Sequence, residues 1–426
     1  MNFLYSLILI ALLWGIKELF KTIGAEGDAT IAMIGVVLLS SYLFALNIKK
    51  ARLPKLTGYM ILGVIIGPIG FNLLDHHTMK NLSFLENLAL ALIAITAGGE
   101  LKYEKIKIYK KTIAGMFSGQ VIIVFAGLFI SLLLFKDYLP FFSELNNDLA
   151  IGFAILFAAT ALSISPATTI GIITELKAKG RVTDIVLSVT VIKSIFLVLI
   201  FPLVVGVAKI YLIETATLNR DLIYEVAYHI FGSIGLGIVV GVIIIWYLKY
   251  IKVERSLFIL GAAILIAELS IIFDFEILLM AIVTGIIVEN FSKQGESLIE
   301  GIEQSSLPLY IIFFCFAGAG LHLETLKQAF VLTLFVVLMR MFFLAIGNYA
   351  GAAVAKGDII LKKTSWMSFI AQAGIALGLA TVIENTFPGE IGLQFKTILV
   401  SSVVINEFLG PIFFKYVLTK AKENTI

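Results

Sequence analysis

A chain of 426 residues that is 60% hydrophobic and only 14% charged, with a mean hydropathy of +1.03, holds too much apolar surface for a soluble domain, where about a quarter of the residues are charged. Its long unbroken apolar runs exclude a membrane β-barrel, whose strands alternate in segments of about ten residues. One cysteine, Cys315, and a dispersed net charge of +3 exclude a disulfide framework within the chain, a cysteine metal site and a nucleic-acid surface.

A bilayer removes the difficulty, because a helix of roughly 20 apolar residues crosses it with every backbone group paired internally. Such runs occur near residues 3–20, 29–48, 58–74, 82–101, 112–135, 149–176, 185–208, 226–248, 256–273, 277–292, 306–323, 329–355, 364–383 and 395–414. The first has no basic leader or A-x-A cleavage pattern and reads as a retained helix rather than a signal peptide. Charge sidedness tests these spans independently. Of the 32 Lys and Arg, 22 lie in loops after even-numbered spans or in the C-terminal tail, while eight lie in loops after odd-numbered spans. Lys193 and Arg340 fall inside spans. Positive charge marks the cytoplasmic side, so both termini are expected in the cytoplasm of a plasma membrane.

The chain also resembles itself. Thr96-Ala-Gly-Gly-Glu-Leu-Lys-Tyr-Glu-Lys-Ile-Lys107 aligns with Phe316-Ala-Gly-Ala-Gly-Leu-His-Leu-Glu-Thr-Leu-Lys327, and 188–194 aligns with 401–407, both seven spans apart. Seven is odd, so a repeated seven-span unit must invert in the membrane. The expected fold is an all-α polytopic membrane protein of about 14 transmembrane helices in two inverted seven-helix repeats. A transport site would lie near the midplane. The expected organisation is a single transporter domain with repeat one at about 1–210, repeat two at about 220–420, and no soluble regulatory domain.

Two spans carry helix breakers at corresponding positions. Span six holds Pro166, which should unwind the helix and release Thr160, Ser163, Ser165, Thr168 and Thr169 as ion-coordinating candidates. Span thirteen offers Gly374 as a weak point and Gln372 as an amide ligand. A kinked packing helix whose hydroxyls bond their own backbone is the plain alternative.

Ionisable residues at membrane depth are functional candidates. Lys193 suits a proton carrier, a fixed positive charge in place of a bound cation, or half of a bracing ion pair. Glu407, the repeat counterpart of Ser194, suits a partner for Lys193 or a proton binder; alternatively Asn406 and Glu407 cap a broken helix. Glu268, Arg340 and Glu100 are secondary candidates, the last two as helix anchors or interfacial snorkels. The four histidines are scattered, which argues against zinc, and no P-loop, GxSxG, HExxH or CxxC pattern points to an enzyme or a cofactor.

The stretches Leu62-Gly-Val-Ile-Ile-Gly-Pro68, Thr96-Ala-Gly-Gly-Glu100, Ser165-Pro-Ala-Thr-Thr169, Phe316-Ala-Gly-Ala-Gly-Leu321, Gln372-Ala-Gly374 and Ile405-Asn-Glu-Phe-Leu-Gly-Pro411, in this order, resemble the Kef-type and Na⁺/H⁺-exchanger-like branch of the cation:proton antiporters. The resemblance implies a homodimer, a mobile six-helix core with two crossed broken helices, and exchange of a monovalent cation such as Na⁺ or K⁺ for protons. It also implies an aspartate in span seven where this chain has Lys193-Ser194. That departure leaves two readings: an antiporter with a rebuilt site of Lys193, Ser194, Asn406 and Glu407, or an antiporter-fold protein without cation exchange that carries an anion or neutral solute or acts as a sensor.

Overall fold

The computed structural model of the chain describes residues 26–50, 53–68, 70–212, 220–251, 253–320, 329–387 and 389–424, with scattered positions before residue 26. Among them there is no strand. In chain order the helices are α1 (Glu26–Lys50), α2 (Lys55–Ile66), α3 (His76–Asn81), α4 (Ser83–Glu100), α5 (Tyr103–Leu134), α6 (Asn147–Thr160), α7 (Pro166–Leu176) and α8 (Arg181–Leu212). They continue with α9 (Arg220–Tyr250), α10 (Arg255–Phe273), α11 (Ile277–Phe291), α12 (Gly295–Ala319), α13 (Phe330–Val354), α14 (Ile359–Lys363), α15 (Gly374–Thr386) and α16 (Glu390–Ala421). Helices run through the second to fourteenth expected spans. By length and apolarity alone, six described helices can cross a membrane, or seven if the bent α12 counts as one span. The first expected span lies mostly outside the described residues, and 321–327 of the internal echo, with His322, lie outside them entirely.

By its internal contacts the chain divides into two compact units. One comprises Met1–Glu100 with Ser233–Leu321, and the other Leu101–Gly232 with His322–Ile426. Each therefore draws one segment from either half of the sequence.

In the first unit, close helix crossings rest on glycine. A Cβ added at Gly98 of α4 would collide with the carbonyl of Ile282 on α11, and one at Gly63 of α2 with that of Cys315 on α12. Lipid tails are as apolar as leucine, so helices in a membrane associate through close backbone approach of this kind.

The second unit has two interrupted helices. α6 begins at the N-cap Asn146, whose side chain accepts from the Leu149 N–H. It ends at Thr160, and residues 161–165 run on without helix. Pro166 then starts α7 at its first turn, where its missing N–H costs nothing, and Ser165 caps it by accepting from Thr168 N at 3.2 Å. The second interruption follows a 3-10 turn at Ser365–Phe369; residues 370–373 are unwound and α15 starts at Gly374. The breaks thus precede Pro166 and Gly374 instead of centring on them. α5 crosses α13 through Gly115 and Gly119 against Gly347 and Gly351, where a Cβ at any of the four would strike the opposing backbone.

Candidate functional site

The two unwound segments meet. Ser165 N donates to Ala371 O at 2.9 Å, and Arg340 of α13 grips both. Its Nε donates to Ala161 O at 2.8 Å, and Nη2 to Ser163 O at 2.9 Å and Phe369 O at 3.1 Å. Nη1 completes the set with Ile370 O at 2.9 Å. These carbonyls are freed where α6 and the 3-10 turn stop, and a guanidinium satisfies them while offsetting the negative ends of two helical segments. Only 1% of Arg340 is exposed, so it is an internal clamp and not an interfacial snorkel.

Gln372 ties the same two breaks from the other side. Its Nε2 donates to Ser163 Oγ at 2.7 Å and to Thr160 O at 3.2 Å, and its Oε1 accepts from Asn406 Nδ2 at 2.7 Å. Next to Asn406 on α16, Glu407 accepts at Oε1 from the Thr168 hydroxyl. Each hydroxyl has one hydrogen, so with Thr168 donating to Glu407, the 2.8 Å contact between Ser165 Oγ and Thr168 Oγ1 must be donated by Ser165. A proton on Oε1 would reverse the direction of this chain.

Several buried oxygens are left open. Among the described residues, Glu407 Oε2, Asn406 Oδ1, Ser194 Oγ and Thr190 Oγ1 have no hydrogen-bond partner. Two of the four, on adjacent residues of α16, belong to a carboxylate and an amide, the oxygen types that suit a hard cation. An unpaired buried carboxylate oxygen is costly, and either a proton or a cation relieves it.

Lys193 is wholly buried on α8 and donates to Gln120 Oε1 on α5 at 3.1 Å. Gln120 Nε2 donates to Asn348 Oδ1 on α13 at 3.0 Å, and Asn348 Nδ2 donates to Leu361 O and Ser365 Oγ. No ion pair joins Lys193 to Glu407 among the described residues, so the pairing allowed by the sequence is replaced by an amide chain.

The structure therefore brings together Lys193, Asn406, Glu407, Ser163, Ser165, Thr168, Gln372 and Arg340 within one unit. Thr160 and Thr169 direct their hydroxyls to their own backbone, at Leu156 O and Ser165 O, as the plain packing alternative has it. Glu268 is exposed on α10, and Glu100 ends α4; both belong to the other unit and not to this cluster. Sequence reading missed Gln120 and Asn348. Each directly follows a glycine of a G-x-x-x-G pair, and a polar amide beside such a crossing was the available signal.

The family described as sodium/hydrogen exchanger, transmembrane, matches residues 34–420. The chain belongs to that family. It is 31% identical over 163 residues to a probable Na⁺/H⁺ antiporter 3 of Methanocaldococcus jannaschii, a match that spans 37% of each chain. It is 23% identical over 394 residues to the Na⁺/H⁺-K⁺ antiporter GerN of Bacillus cereus, covering 90% of this chain and 95% of that one. Among solved structures, the sodium proton antiporter MjNhaP1 of M. jannaschii at pH 8 superposes with a TM-score of 0.66 at 17% identity, over 92% of this chain and 98% of that one. An electron-microscopy structure of MjNhaP1 gives 0.68 at 16%. The fold is thus that of an all-helical antiporter, and the exchanger-family chain is a multi-pass membrane protein. Position 194 holds a hydroxyl, and Glu407 is the one acidic residue among the buried described side chains.

Proposed function

We propose that this chain is a secondary antiporter that exchanges a monovalent cation, Na⁺ or K⁺, for protons, with Glu407 as the group that carries either. The single observation behind this reading is a buried carboxylate that has one oxygen anchored on Thr168 and the other unpartnered, beside the unpartnered Asn406 Oδ1. A carboxylate open on one side can hold a proton or a cation there, one at a time, and such mutual exclusion is what couples the two fluxes.

The flanking residues have distinct parts. Gln372 fixes Asn406, and Ser165 and Thr168 fix Glu407 at the first turn of α7, where the helix dipole favours a negative charge. Arg340 holds the two breaks in register, its own charge matched by four carbonyls. Lys193, held by Gln120, is the other buried basic side chain of this unit. Because the cluster lies within one unit, any displacement of that unit carries it intact.

The arrangement belongs with fourteen spans in two inverted repeats and a plasma-membrane orientation with both termini cytoplasmic, which charge sidedness and the internal echoes support; a homodimer is what the family resemblance implies. The test is purified protein in liposomes under an imposed pH gradient, with Na⁺ or K⁺ added outside. Cation-dependent collapse of the gradient between pH 6 and 9 is expected. A gradient untouched by either ion would remove the exchange reading and leave carriage of another solute, or a sensor role.

A further inference from the structure

On its outer side, the α5–α13 crossing leaves a groove of about 660 Å³ that opens on the molecular surface. This lies within the roughly 300–1,000 Å³ range of small-ligand sites. Its floor is Gly115, Gly119 and Gly351, and two lysines, Lys111 and Lys356, stand among its lining residues. Both lysines are exposed, and among the described residues neither side-chain ammonium has a hydrogen-bond or ion-pair partner. Lys356 also holds a left-handed backbone, φ 56°, that glycine would adopt at less cost.

The direction of the groove is informative. On α5 its lining runs from Lys111 to Ile122, about 16 Å at a helical rise of about 1.5 Å per residue. That is half of a hydrocarbon core about 30 Å thick, the depth of a single leaflet. Ser118 and Ile122 are exposed along it. A second groove of about 450 Å³ flanks the other side of α13, with Lys362, Lys363, Trp366 and Tyr349 in its lining. Aromatic rings of this kind sit at headgroup level. Lysines therefore cluster where the apolar surface gives way to the interface, on the side that charge sidedness assigns to the cytoplasm.

We propose that the α5–α13 groove binds a phospholipid with an anionic headgroup, its phosphate held by Lys111 and Lys356 and one acyl chain lying along the glycine floor. A basic pocket between membrane helices on the cytoplasmic side suits such headgroups, and that leaflet supplies them. The floor also backs the crossing that carries Gln120 and Asn348, so the lipid sits behind the chain that holds Lys193. The site depends on membrane embedding and not on cation exchange, so failure of the transport assay would leave it standing.

Thermal unfolding of the detergent-purified protein, titrated with phosphatidylglycerol or phosphatidylcholine, tests this site. Phosphatidylglycerol is expected to raise Tm and phosphatidylcholine to leave it unchanged. In Lys111→Gln/Lys356→Gln the half-maximal phosphatidylglycerol concentration should rise roughly tenfold or more, from about 1 kcal/mol per lysine. Ser118→Phe, which fills the groove and keeps both charges, should abolish the rise; it also serves if the double variant does not fold. Lys293→Gln, in the other unit, should behave as the parent. Equal stabilisation by both lipids, an unchanged response in the groove variants, or an equal loss in Lys293→Gln would overturn the proposal.

Discussion

Lys193 on α8 donates a 3.1 Å hydrogen bond to Gln120 Oε1 on α5, and both side chains are fully buried. Gln120 Nε2 donates to Asn348 Oδ1 at 3.0 Å, and this bond holds the amide with its acceptor toward the lysine. Gln120→Leu leaves that amine without its partner. Thermal unfolding should show a loss of about 1–3 kcal/mol, and the pH profile of exchange should change in the same way as in Lys193→Ala. The double variant should fall short of additivity, since both changes break one interaction; full additivity would separate the two residues.

Glu407→Gln keeps the shape and removes the charge. Cation-dependent proton movement in liposomes should drop to the empty-vesicle background, while the variant still purifies and unfolds as a folded protein. In the parent, a cation and a proton competing for Oε2 should move the half-maximal pH of cation-induced proton release down by about one unit per tenfold rise in saturating cation. A midpoint that stays fixed would place the two ions on separate groups.

Ser194→Asp restores an acid where the resemblance implies one, beside Lys193 and at a position whose hydroxyl has no partner. With two carboxylates, more than one proton should move per cation, and exchange should become sensitive to membrane voltage. Measuring flux against imposed potential in the parent and the variant decides this; an unchanged ratio would show that position 194 lies off the ion path.

Arg340→Gln strips the guanidinium from four carbonyls at two breaks. Interhelical bonds in membranes average about 0.6 kcal/mol with a maximum of about 1.7, so a loss of roughly 2–4 kcal/mol is expected in thermal unfolding. Exchange should fail with it, because the breaks lose their common brace. A stable variant with normal flux would reduce Arg340 to ordinary packing.

Much of the site was legible because membrane burial makes polar residues conspicuous. Pro166, Lys193, Arg340 and Glu407 each stand out in an apolar run, where an unpaired polar group is costly. Their partners were less visible. Gln120 was hidden by its neutrality, and its meaning depends on the glycine crossing that brings α5 to α13. The expected role of Thr160 and Thr169 as ligands was open for the same reason, since a hydroxyl near a break can turn either to an ion or to its own carbonyl.

The sequence by itself determined an all-helical membrane protein, the places where two helices fail, and the identity of the few charges inside it. These follow from local chemistry: hydrocarbon admits only backbones paired within themselves, and proline removes a donor wherever it stands. Tertiary structure decided who partners whom. That Arg340 clamps both breaks, that Lys193 rests on an amide, and that Glu407 keeps one oxygen open depend on contacts between residues up to 239 positions apart. Only the packing of whole helices brings such distant groups within hydrogen-bond reach.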